Sequence, residues 1–261
     1  MIRFHGNPPC PIAVVHGGPG GIGSAAALAE ELRIRLRKSV AEPLQSQNSI
    51  HALTDELCTQ IQQPELENPL LLIGHSWGAW LAAFAAERCP ERIRRLILIG
   101  CPPLRKKEGM EAVRLGRLPQ DSRIRCRMLK DRLLRTRGEE QNKIFQELAH
   151  LCDRADLYEP ADDLPDETFR YDAPMYFRVW GEAELMRSSG ALETCFRNLS
   201  VPVTMIHGDY DPHPAEGVFP ILRESGKCSE FHLLKRCGHT PWREKYAREE
   251  FFRILAEELE R

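Results

Sequence analysis

Three polar residues, far apart in the chain, could together perform acyl transfer. Ser76 sits in Gly74-His75-Ser76-Trp77-Gly78, a G-x-S-x-G pentapeptide. The apolar run Leu70 to Gly74 precedes it, and a stretch that is apolar nearly all round, residues 77 to 88, follows. A serine in a tight strand-to-helix turn is pushed out above a sheet, and the flanking glycines let the turn close. A serine hydroxyl attacks a carbonyl only when a base takes its proton. His239, in Cys237-Gly238-His239-Thr240-Pro241, is the expected base. Asp211, in His207-Gly208-Asp209-Tyr210-Asp211-Pro212, is the expected acid that orients it. Asp211 is favoured over Asp209 because it lies further along the loop, where it can reach the histidine. The chain order serine, acid, histidine suits this arrangement. His75 and His207 are expected to be structural neighbours of the site, and His5, His51, His150, His213 and His232 to be solvated or satisfied locally.

An oxyanion needs donors. The loop His16-Gly17-Gly18-Pro19-Gly20 closes the first apolar run, and the Gly18 N–H together with the Trp77 N–H could supply them. The same loop permits a rival reading. Gly18-Pro19-Gly20-Gly21-Ile22-Gly23 fits G-x-G-x-x-G, and Glu42 stands about 20 residues on, where a dinucleotide-binding oxidoreductase places its ribose-binding acid. That reading leaves Ser76, Asp211 and His239 without a purpose. No H-E-x-x-H or similar spacing occurs, so neither a metal nor another cofactor is expected.

The elements that must position these groups follow from periodicity. Strands are expected at Pro11 to His16, Ser39 to Glu42, Leu70 to Gly74, Arg94 to Gly100, Val201 to His207 and Phe231 to Lys235. Leu28, Leu32 and Leu36 mark one helix, which Ser24 could cap. Ile50, Leu53, Leu57 and Ile61 mark a second, and Phe251, Leu255 and Leu259 a last. Strands alternating with helices, the strands reading as continuous Val/Ile/Leu runs, imply an α/β fold with a mostly parallel sheet and helices on both faces. Ser76, Asp211 and His239 then all follow the carboxyl ends of strands, where open α/β sheets build their sites.

Residues 103 to 198 break this rhythm. Residues 105 to 138 hold 12 Lys/Arg against 4 Asp/Glu, and residues 139 to 193 hold 14 Asp/Glu against 5 Lys/Arg. The expected organisation is a core of residues 1–102 and 199–261 with residues 103–198 inserted as a helical cap. Glu182, Glu184 and Trp180 are the cap residues proposed to meet substrate: a carboxylate in a desolvated pocket would bind a free α-amine. The alternative is a solvated acidic face set against the basic half of the same insertion. Phe177 is a further candidate for the pocket wall.

Together, HGGPG at 16–20, the GHSWG elbow at 74–78, HGDYD at 207–211 and CGH at 237–239 resemble the α/β-hydrolase superfamily, covering residues 11 to 100 and 200 to 260. Within it, the HGGPG loop and the Ser-Trp-Gly elbow are most similar to the proline iminopeptidase branch. The resemblance implies a Ser76–Asp211–His239 triad with Gly18 and Trp77 as the oxyanion hole. It also implies a serine hydrolase cleaving a small ester or amide through an acyl-enzyme, on a small molecule or a short peptide. A carboxylesterase without amine recognition and a non-enzymatic ligand receptor are the other readings. The chain departs from the family in three places. Ile2 to Pro9 is short for the antiparallel strands that open this fold, which points to a truncated sheet. His75 replaces the glycine that the peptidase branch tends to have. Glu42-Pro-Leu-Gln-Ser-Gln-Asn48 stands where a glycine-rich stretch is usual.

The 261 residues are 42% apolar and 28% charged, with a formal net charge of −2. Nothing in that balance favours nucleic acid or an anionic membrane. The N-terminus has no apolar signal-like segment, and the nine cysteines form no C-x-x-C pair. Free thiols in a reducing cytoplasm are the expectation.

Overall fold

A computed structural model describes residues 1–106, 108–162, 164 and 169–261. Its nine strands and ten helices among the described residues run β1 (Ile2–His5), β2 (Cys10–Val15), β3 (Gly21–Ile22), α1 (Ala26–Leu36), β4 (Val40–Pro43), α2 (Ile50–Ile61), β5 (Leu66–His75), α3 (Trp77–Arg88), β6 (Ile93–Ile99), α4 (Met110–Gly116), α5 (Gln120–Arg135), α6 (Gly138–Asp156), β7 (Arg170–Tyr171), α7 (Ala173–Ser189), α8 (Ala191–Asn198), β8 (Val203–Gly208), α9 (Phe219–Glu224), β9 (Cys228–Leu234) and α10 (Arg248–Glu260).

Seven strands form one sheet in the order β1-β4-β2-β5-β6-β8-β9. All neighbours are parallel except β1, which pairs antiparallel with β4 at the edge. The stretch expected to be too short for opening strands therefore supplies one. Strand residues alternate between two cores as a period of two requires. Ala13, Val15, Leu70, Leu72, Leu96 and Leu98 face α2, α3, α8 and α9. Ile12, Val14, Leu71, Ile73, Ile97 and Ile99 face α1 and α10. Helix α3 is buried along most of its length because it packs on the sheet while other helices cover it. Among the described residues no helix is long and apolar enough to cross a membrane.

From β2 the chain moves through α1 to β4 on one side, then returns through α2 to β5 on the other side of β2. The carboxyl ends of β2 and β5 therefore flank a topological switch point, where such sheets open a crevice. Between β6 and β8 the described chain holds five helices, α4 to α8, joined by loops and the two-residue β7, which pairs with β3. Helices α5 and α6 have their own apolar cluster, built on Leu129, Leu133, Ile144, Leu148 and Leu151. Their charges pair across the basic and acidic halves, as in Arg125–Glu147 and Arg132–Glu140. Among the described residues the acidic stretch is thus largely a solvated, paired surface.

Glu42 is fully buried. It accepts the Ala25 N–H at the start of α1 (3.1 Å) and pairs with Arg3 (3.1 Å) and with His5 (3.4 Å). It thus does the capping expected of Ser24, because a carboxylate at a helix N-terminus satisfies an otherwise orphaned donor and meets the positive end of the helix dipole. A carboxylate held in this way cannot serve a ribose, so the dinucleotide reading loses its acidic residue.

Candidate active site

Ser76 is the residue between β5 and α3, and its backbone is held at φ +54° and ψ −124°. A positive φ is strained for a residue with a Cβ and persists only where the surroundings enforce it. The enforcement is visible. The Ser76 N–H donates to the Ile99 carbonyl at the end of β6 (2.9 Å), and its carbonyl accepts from Ala79 (2.9 Å). A side chain at Gly74 would run into the Gly78 backbone, and one at Gly78 would run into the Val15 and His16 carbonyls. Both glycines are needed for the turn to close against β2.

Asp211 and His239 are in direct contact. His239 Nδ1 donates to Asp211 Oδ2 at 2.8 Å, and both residues are buried. Burial alone would raise the Asp211 carboxyl, but the facing His239 and His207 rings and the hydrogen bonds from His213 and His239 outweigh it, so the carboxyl lies well below the usual range. Burial would lower His239, and the Asp211 charge and hydrogen bond reverse this, so the imidazole is raised above its ordinary 6.5. Asp209 turns elsewhere: it meets the Cys237 N–H at 3.4 Å and Lys235 at 3.7 Å. It closes the turn that carries the histidine and does not touch the ring.

The serine approaches this pair through shared neighbours. Gly100 follows the Ile99 that binds Ser76; a Cβ there would lie 3.0 Å from His239 Nδ1 and 3.2 Å from Asp211 Oδ2. His75 donates from Nε2 to the His239 carbonyl at 3.0 Å, with the two rings 4.8 Å apart. Burial pushes His75 down to about 3, so it stays neutral and works as a brace. Among the described residues the Ser76 hydroxyl has no hydrogen-bond partner, and it is half-buried.

Gly18 has φ +54°, and nothing lies within 4 Å of where its Cβ would be. Among the described residues neither the Gly18 nor the Trp77 N–H is donated within the chain. Gly17, one residue earlier, packs against Ser76: a Cβ there would lie 3.2 Å from the serine Cβ. Two spare donors thus border the serine.

Sequence reasoning missed two residues here. Gln45 is buried, and its Oε1 accepts the Trp77 indole N–H (3.0 Å). Its Nε2 donates to the His16 carbonyl (3.1 Å), and its backbone N–H donates to His16 Nε2 (3.3 Å). One side chain therefore ties the glycine loop to the start of α3. The other is His213, whose backbone N–H (2.8 Å) and Nδ1 (3.0 Å) both bind Asp211 Oδ1. The expectation that it is satisfied locally is met, but by the acid of the site itself. The D-P-H run after Asp211 was the only signal. Asp211, His213 and His239 offer atoms within 4.8 Å of one another, close enough to hold a metal ion. The hydrogen bonds just described account for those atoms without one.

The inserted helices meet the site differently from the expectation. Glu182 accepts the Ile50 N–H at the start of α2 (2.7 Å), and Glu184 pairs with Arg187 (2.6 Å). Each carboxylate has a partner within the protein, so neither is a spare anion waiting for an amine. Trp180 stacks between Trp80 and Tyr176 (5.8 and 6.3 Å), with Arg187 over both tryptophans, and helps bind α7 to α3. Phe177 lies partly exposed at the surface.

Residues 14–254 match the model of the alpha/beta hydrolase family. The chain belongs to the α/β-hydrolase family. Among solved structures it is similar to VinJ, at 20% identity with a TM-score of 0.66, covering 99% of this chain and 94% of that one. A monoacylglycerol lipase from Paleococcus ferrophilus is 17% identical, with a TM-score of 0.61 over 99% and 97% of the two chains. A meta-cleavage product hydrolase from Pseudomonas fluorescens is 21% identical, with a TM-score of 0.60 over 98% and 92%. At these identities the likeness is one of fold. No curated relative matches the chain in sequence. The strained serine, the glycine loop and the buried acid–histidine pair of this α/β hydrolase all stand at the carboxyl edge of its parallel sheet.

Proposed function

We propose that the protein is a serine hydrolase that cleaves a small ester or thioester through an acyl-enzyme. Ser76 is the nucleophile, His239 the base and Asp211 the orienting acid. The observation that carries this reading is the buried 2.8 Å contact between His239 Nδ1 and Asp211 Oδ2 beside a serine held at positive φ. With Nδ1–H donated to Asp211, the lone pair of His239 is on Nε2, the atom free to take a proton.

In the first half-reaction Ser76 Oγ bonds to the carbonyl carbon while its proton passes to Nε2. The Gly18 and Trp77 N–H groups receive the oxyanion. As the intermediate collapses, the bond to the leaving group breaks and Nε2 returns the proton to it. Water then repeats the sequence on the acyl-enzyme and releases the acid. Asp211 remains ionised throughout and stabilises the imidazolium. The lipase and hydrolase among the similar folds agree with acyl transfer. The proline iminopeptidase reading has weaker support, because Glu182 and Glu184 are engaged within the protein.

A fluorophosphonate probe should label Ser76 alone, and Ser76→Ala should lower p-nitrophenyl ester turnover by roughly 10³-fold or more with the fold intact. Full activity in the alanine variant, or labelling elsewhere, would end the proposal. Labelling of Ser76 without turnover of any ester, thioester or anilide would favour a ligand receptor.

A further inference from the structure

Nine cysteines are scattered through the chain, and two of them meet. Cys58 lies on α2 and Cys89 follows the last residue of α3, 31 positions away. Their sulfur atoms stand 3.0 Å apart. Among the described residues no other pair of cysteines is in sulfur contact. Both are buried in the core between α2 and α3, where the Cys89 N–H donates to the Ala85 carbonyl and its thiol to the Cys58 sulfur. A disulfide bond is about 2.05 Å long, so closure needs a movement of about 1 Å.

We propose that Cys58 and Cys89 are a disulfide-forming site that joins α2 to α3 when the protein meets a peroxide. In a reducing compartment the two thiols stay free. The surroundings distinguish their roles. The hydrogen bond from Cys89 favours the thiolate of Cys58 and disfavours that of Cys89, and the neighbouring Arg88 adds positive charge. Arg88 itself pairs with Asp55 at the surface, so this end of the helix pair borders solvent.

Cys58 is therefore the attacking sulfur. Its thiolate bonds to one peroxide oxygen, the O–O bond breaks, and the departing hydroxide takes up a proton as water, leaving a sulfenic acid. Cys89 gives up its proton and attacks the Cys58 sulfur; the S–O bond breaks and the hydroxyl leaves as a second water. Two thiols and one peroxide become one disulfide and two waters, the two electrons passing to the peroxide. Helix α3 starts beside Ser76 and reaches Cys89 about 18 Å further along its axis, at 1.5 Å per residue. The bond forms at the end of the helix remote from the serine. It should raise stability and leave ester turnover within about twofold, since cross-linking restricts the unfolded chain rather than the site.

The test uses the full chain, treated in its native state with hydrogen peroxide and then with an alkylating agent. Trypsin separates the two cysteines into peptides Ser39–Arg88 and Cys89–Arg92. Mass spectrometry should find these two joined, separable by dithiothreitol, while the other cysteines are alkylated. The oxidised protein should melt about 10 °C above the reduced form. In Cys58→Ser and Cys89→Ser, each compared with its own reduced sample, peroxide should give no such rise. Alkylated Cys58 and Cys89 after treatment, a bond between other cysteines, or an unchanged difference in either variant would overturn the proposal.

Discussion

Replacing Asp211 by Asn tests the acid–base pair at its most sensitive point. In the native protein Oδ1 accepts two bonds from His213 and Oδ2 accepts one from His239 Nδ1. Asparagine offers one oxygen and one NH₂. If the oxygen keeps the two His213 bonds, the NH₂ faces His239 and drives its proton to Nε2, the nitrogen that must accept from Ser76. In either orientation the negative charge that supports a buried imidazolium is gone. The expected loss in kcat is about 10⁴-fold, or about 5.5 kcal/mol at about 1.36 kcal/mol per factor of ten. The pH profile should move as well. The base works when neutral, and Asp211 holds His239 above its ordinary 6.5 against the effect of burial. Native kcat/KM for an ester should therefore fall as pH drops through a point above 6.5. Without the charge, burial dominates and the residual activity of the variant should persist to lower pH. Asp209→Asn should cost less than about tenfold, since that carboxylate makes only two long, partly solvated contacts. Stopped-flow or plate assays of p-nitrophenyl esters from pH 5 to 9 read all three quantities. An Asp211→Asn rate within tenfold of native, an unmoved acid limb, or a larger loss at Asp209 would refute the reasoning.

Gln45→Leu should lower kcat about tenfold or more with little change in KM, because the glycine loop and Trp77 lose the side chain that holds them in register. An equal change in KM alone would make Gln45 a binding residue. Free and N-acetylated aminoacyl-p-nitroanilides should be cleaved at similar rates, because Glu182 and Glu184 are already paired; a strong preference for the free amine would restore the aminopeptidase reading.

The sheet was legible because parallel strands buried on both faces leave unbroken apolar runs, as at Leu70 to Gly74 and Leu96 to Gly100. Helix α2 was legible from its four-residue stripe. The edge strand β1 was not: Ile2–His5 carries one charge and one histidine and is half-exposed. The Ser76, Asp211 and His239 loops could be read because each follows a strand and each residue type has a chemical reason. Gln45 could not, since a glutamine in a loop carries no local signature and its value comes from two partners 29 and 32 residues away. The charged insertion misled for a related reason. Sequence shows net charge along the chain, and only the fold shows that Glu182 caps a helix 132 residues earlier.

The same long-range bonding bears on what the inserted helices do. The His239 N–H donates to the Asp156 carbonyl at the end of α6 (2.8 Å), and a side chain at Gly238 would run into that carbonyl. The fully buried Glu244 accepts the N–H groups of Tyr158, Glu159 and Gly238 (2.8, 3.0 and 2.6 Å). Arg114 on α4 grips the Asp156 carboxylate through two 2.6 Å bonds. A lid that only covered a pocket would need none of these. Here the loop that presents the His239 imidazole is bonded on one side to Asp211, just past the end of β8, and on the other to the C-terminal end of α6. Displacing α6 would leave the His239 N–H without its partner and strip the buried Glu244 carboxylate of two of its three donors; a buried polar group orphaned in this way costs about 1–3 kcal/mol. The end of α6 is therefore part of the scaffold that holds His239 in place, rather than a cover resting on it.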